Sequence, residues 1–178
     1  MKLKLALVLA VAAALTVTLG VTKPWSTPAS AATKRQANFL LLPPAAPAGQ
    51  MVLYGHIKKL TPTGGHYLLG FDPAMFTSGL TASVAHKQDT GSSEVPNDNY
   101  VVEEGHRVFW YVLPSNAKIT VLTNQGTKGI SATSISAREL SNIVNGGPHR
   151  KLFEPLASGI WIRIRIDTVK ELDQQYQP

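Results

Sequence analysis

The sequence predicts a β-rich α+β domain: a small closed or partly open β-barrel with one capping helix and a short helical excursion. Three observations carry that expectation. Ile160, Ile162, Ile164 and Ile166 alternate with Trp161, Arg163, Arg165 and Asp167, the period of a half-buried strand with four β-branched side chains on its inner face. Short apolar-rich runs recur along the chain between clusters of Gly, Pro, Ser and Asn that have turn chemistry. One stretch, Ser136 to Gly147, has both the start and the stop signals of a helix.

The first 31 residues read as a secretory leader: Lys2 and Lys4, an apolar run from Leu5 to Val21, then Pro24, Pro28 and Ala29-Ser30-Ala31, the small-x-small pattern of a signal-peptidase site. Cleavage is expected after Ala31, leaving no membrane span. The alternative, an uncleaved anchor, has an apolar run at the lower edge of the ~17 to 25 residues that cross a bilayer. Residues 32–50 form a Pro/Ala-rich tether, stiffened by Pro43, Pro44 and Pro47. Within it Phe39-Leu40-Leu41-Leu42 could dock on the domain or on a membrane surface. Residues 51–178 are then a single domain.

Of 17 basic residues in the 178-residue chain, Lys2, Lys4 and Lys23 lie in the leader, and the remaining 14 face 11 acidic ones, a balance of +3. That suits contact with anionic surfaces and argues against nucleic acid, which demands a dense basic stripe. There is no cysteine, so disulfides and thiolate metal sites are excluded, and packing alone must hold the domain.

In chain order, Met51 to Leu60 and His66 to Phe71 read as two strands around a loop at Thr61 to Gly65. Such a loop, centred near Thr63, would set His66 opposite Leu60. Asp72-Pro73 has the signature of a helix start, a carboxylate cap followed by proline. Leu80 to Lys87 fits a second short helix. Tyr100 to Glu103, Arg107 to Leu113 and Lys118 to Leu122 return to strand composition, and the unbroken apolar run Val108 to Leu113 predicts cover on both faces. Ser136 can cap the following helix, with Glu139 reaching back to it and Ile135 stapled to Leu140. Gly146-Gly147-Pro148 ends it. Val169 to Tyr176 fits strand or helix equally. This order, with a helix between the third and fourth barrel strands, is that of the oligonucleotide/oligosaccharide-binding (OB) barrel.

From Phe71 onward the chain resembles a group of uncharacterised exported bacterial proteins. The features that carry the resemblance are Phe71-Asp72, a helical excursion ending near Asp89 and Gly91, Val95-Pro96-Asn97-Asp98 running through Tyr100 into a strand, the Trp161 strand, and an end containing Gln175-Tyr176 and Pro178. Asn99 and Glu103-Glu104 depart from the group's pattern, and the resemblance implies membership without an activity.

For chemistry, the Trp161, Arg163 and Arg165 row is the leading candidate. Residues two apart on a strand lie ~6.6 Å apart, so one ring and two guanidiniums could meet a polyanion or a sugar together. That predicts an exported, non-enzymatic binding or structural module of the cell envelope whose partner is a wall polymer, a glycan or a protein. Pro96, Asn97, Asp98 and Tyr100 form a motif whose simplest duty is turn formation. The alternative is a small secreted hydrolase using Asp98 or Glu104. No Gly-x-Ser-x-Gly elbow appears, and His56, His66, His86, His106 and His149 lack metal-ligand spacing, so no cofactor or metal is expected.

Overall fold

Strands β1 (Met51–Thr63) and β2 (His66–Ser78) form a long hairpin whose turn is Gly64-Gly65, with Thr63 opposite His66 and Leu60 opposite Leu69. Both glycines have positive φ (42° and 97°), as a two-residue primed turn requires. The turn is therefore tighter than a loop from Thr61 to Gly65, and His66 does not face Leu60. A computed structural model supplies these coordinates and describes residues 46–103, 105, 107–126 and 129–177. The expected leader, the Phe39–Leu42 segment, Glu104 and His106 lie outside the described residues.

Five strands close a barrel. β2 pairs with β4 (Phe109–Pro114), β1 with β7 (Ile160–Arg165), and β7 with β8 (Thr168–Gln174), all antiparallel. The ring shuts where β4 meets β8 in parallel at Val112 and Thr168, with the Val112 N–H donating to Asp167 O at 2.8 Å. The cyclic order β1-β2-β4-β8-β7 is the OB order. β3 (Asn99–Glu103) extends β2 beyond the barrel, and β5 (Lys118–Asn124) continues along β8, carrying β6 (Ile130–Ser134) at its edge. Val169 to Gln174 is strand, which settles the helix alternative, and Gln175 and Tyr176 lie beyond its end.

β6 has no counterpart in the sequence reading. Its Ile-Ser-Ala-Thr-Ser composition is weak in strand formers, and it is held by the β5 ladder with a Thr123–Thr133 hydroxyl bond of 2.7 Å.

Asp72-Pro73 does not start a helix. Both lie within β2, where that strand leaves β4 after Phe71 and takes up β3 at Ala74. Pro73 falls in the gap between those two partners, so its missing N–H withdraws no ladder bond from β4 or β3. The helical excursion begins later, as α1 (Gly79–Thr90), with Ala82 buried against the sheet and Leu80 facing water.

α2 (Ala137–Asn145) is the capping helix, placed between the third and fourth barrel strands. Ser136 Oγ accepts from the Glu139 N–H at 3.1 Å, and Ile135 and Leu140 join the barrel core. The reciprocal half of the capping box is replaced: the Glu139 carboxylate turns to the Arg150 guanidinium, which also donates from Nη2 at 2.9 Å. That bond holds the Glu139 carboxyl below its usual range, so the stabilisation it brings is present at neutral pH and lost as acid takes pH down through the lowered value. Glu139→Gln should therefore lower the melting temperature at neutral pH and leave it unchanged in strong acid, a comparison that melts at two pH values would check.

The core cluster joins Leu60, Leu69, Phe71 and Leu113 with Ile119, Leu140, Ile160, Ile162, Val169 and Leu172. Ile160, Ile162 and Ile164 point inward as the alternation predicts. Ile166 does not: it sits in the β7–β8 turn at φ 54° and is 84 % exposed.

Candidate ligand-binding face

The three side chains of the predicted row do not form a common open surface. Trp161 packs its ring on Tyr54 and Phe76, at centroid distances of 4.9 and 5.9 Å, and donates its indole N–H to Gln175 Oε1 at 2.8 Å. Arg163 is half-buried in an ion pair with Glu171 on the neighbouring strand. Arg165 alone remains exposed.

Chain-end residues account for the cover over Trp161. Tyr54, itself buried, donates its hydroxyl to Ser158 O at 2.8 Å and accepts from Gln177 Nε2 at 2.7 Å. Burial pushes its phenol up to about 12, against the Gln177 bond, which pulls the other way. Gln174 accepts from the Leu122 N–H at 2.9 Å and donates to Glu154 O at 3.0 Å, while the Gln175 N–H reaches Gly159 O. Residues 174–177 thus clasp the 153–159 segment to the barrel wall.

The Pro96-Asn97-Asp98 motif forms a tight 3-10 turn in which Asn97 and Asp98 both take left-handed backbone, φ 58° and 57°. Short Asx side chains tolerate that region best. Tyr100 enters β3, donates its hydroxyl to Asp89 Oδ2 at 3.0 Å and sets its ring edge-on to His86. Those contacts tie the end of α1 to β3, a structural joint. Asp98 is exposed in the turn, and the other candidate carboxylate, Glu104, lies outside the described residues.

His56 lies between Ala157 O and Glu103 Oε1, at 3.1 and 2.9 Å. Among the described residues no three His, Asp or Glu side chains converge on a point that could hold a metal ion.

An exposed aromatic face lies elsewhere, on the outer side of the second and third barrel strands. Trp110 on β4 stands opposite Gly70 on β2, which stands opposite Lys59 on β1, so the three form one cross-strand row. Gly70 has no side chain to hold the indole off. A Cβ there would come within 3.2 Å of Trp110 Cη2 and Cζ3 and of Val108 Cγ1. The ring lies against the sheet and is 52 % exposed. Lys59 is exposed at one end of the row, and the next row is Thr61, Leu68 and Val112. Arg107 lies 5.3 Å over the ring of Phe109, which pairs with buried Phe71 and so belongs to the opposite face of the strand, and the β7–β8 turn that carries Ile166 borders Val112. Val108, Phe109 and Trp110 are all more than a third exposed, so the run is not covered on both faces as its composition predicted.

No protein-family model, curated protein or solved structure matches the chain. Among the described residues, no helix is long and apolar enough to cross a membrane.

Proposed function

We propose that the protein is an exported, non-enzymatic binding module of the cell envelope that takes an anionic glycan on the outer face of β2 and β4. The observation that carries this reading is the Trp110 ring resting over Gly70, half-exposed, in line with Lys59. A half-exposed indole stacks a sugar ring, and Lys59 in the same row meets a carboxylate or phosphate substituent. The same face of an OB barrel, second and third strands bordered by the turn between the last two, is the one that suits extended polymer ligands. The leader-like N-terminus and the mild charge balance of +3 after Ala31 favour a wall glycan over nucleic acid.

Amide-shift titration of the protein with oligogalacturonate tests it. Shifts should centre on Gly70, Trp110 and Val112, and Trp110→Ala should weaken binding about tenfold or more, the scale of one lost stacking contact. Unchanged affinity in folded Trp110→Ala rejects the face, and stronger shifts with oligothymidylate would make the ligand a nucleic acid.

A further inference from the structure

A second concavity lies on a different side of the barrel, between α2, β1 and the 149–157 segment. It encloses about 510 Å³ and has apolar walls from Ile57, Ile143, Val144, Leu152 and Leu156. A volume of this size suits a small organic molecule. Glu154 stands in the lining with one carboxylate oxygen, Oε1, buried and without a hydrogen-bond partner.

The cations that share the lining are turned elsewhere. Lys58 reaches Asp72 Oδ2 at 3.1 Å, and His149 Nδ1 lies 2.6 Å from Arg150 O. Glu154 is left with the Gln177 backbone N–H. Burial outweighs that bond and pushes the Glu154 carboxyl above its usual range, as happens when no positive charge is at hand. Next to it in sequence, Phe153 is 39 % exposed and packs on Tyr176 at 5.8 Å, supplying aromatic faces of the kind that attract ammonium groups.

We propose that this groove binds a small organic cation with an apolar body, the ammonium group pairing with Glu154 and the hydrocarbon filling the space between Ile57, Val144 and Leu156. An anion of the same shape would leave the buried Oε1 unpaired, and a neutral alcohol could offer it a hydrogen bond but no compensating charge. The complementarity therefore selects charge as well as size. Lys58 helps by staying away: Asp72 holds its ammonium group off the carboxylate that the ligand would use.

The test is a calorimetric and amide-shift titration of the full chain with n-hexylammonium, n-hexanoate and n-hexanol as probes. Hexylammonium should bind saturably and shift the amides of Ile57, Val144 and Leu156, while hexanoate and hexanol bind at least tenfold more weakly, about the worth of one charge-assisted bond. Glu154→Gln, which keeps shape and removes charge, should cost hexylammonium roughly tenfold in affinity with an unchanged far-UV spectrum. Should that variant fail to fold, Val144→Trp fills the groove from its other wall and must abolish the shifts. Equal binding of the three probes, or hexylammonium affinity retained in folded Glu154→Gln or Val144→Trp, overturns the proposal. Trp110→Ala should leave hexylammonium binding intact, so this groove and the glycan-binding face fail or stand separately.

Discussion

Lys58→Ala should lower the free energy of unfolding by about 3 kcal/mol, the low end of what breaking a buried ion pair costs. Lys58 Nζ lies 3.1 Å from Asp72 Oδ2, and Asp72 is 1 % exposed. The second carboxylate oxygen, Oδ1, is buried without a hydrogen-bond partner, so Lys58 is the one charge that compensates it among the described residues. The lysine side chain is itself half-exposed, which keeps the expected loss at the low end. Because the damage comes from the stranded charge and not from lost packing, Asp72→Asn in the same chain should recover most of it. Chemical denaturation of the two single variants and the double variant closes the cycle. If the double variant is as unstable as Lys58→Ala alone, the stranded-charge account is wrong.

Gly55→Ala should be at least as damaging, with a loss of about 3 kcal/mol or failure to fold, because the added methyl group meets backbone. A Cβ at residue 55 would stand 2.1 Å from Asp72 O and 2.8 Å from Pro73 Cα. No rotamer change moves those atoms; β1 and β2 would have to separate at the point where β1 also holds β7. Gly147→Ala is the matched control, since its new methyl would first meet the Asn142 side chain, at 3.3 Å, and should change stability by less than ~1 kcal/mol. Thermal melts of the two variants distinguish them, and similar melting temperatures would show that the strands give way easily.

The barrel was legible because its signals are local. Alternating isoleucines, a capped helix and a cluster of turn residues between the first two strands each record a backbone geometry in neighbouring residues, although the turn itself proved tighter than the Thr61 to Gly65 loop. Asp72-Pro73 misled for the same reason. As a dipeptide it has the chemistry of a helix start, and only the change of partner from β4 to β3 shows why a proline fits inside that strand. The proposed binding face was hidden in a run of apolar residues that pattern alone assigns to a two-sided interior. The available clue was Gly70, a glycine in mid-strand, which marks close approach by something large. Trp161 and Arg163 alternate as predicted, yet their partners, Tyr54, Glu171 and Gln175, come from β1, β8 and the chain end, and no spacing rule encodes such meetings.

β8 completes the ring by inserting between β7 and β4, and the glutamines at and after its end lock Tyr54 and the 153–159 segment. Until residues 168–177 are available, β4 and β7 both present unsatisfied edges and the interior stays wet. A polypeptide that becomes available in chain order would therefore keep those edges of β4 and β7 open, and gain the barrel's resistance to proteases abruptly, when residues 168–177 arrive.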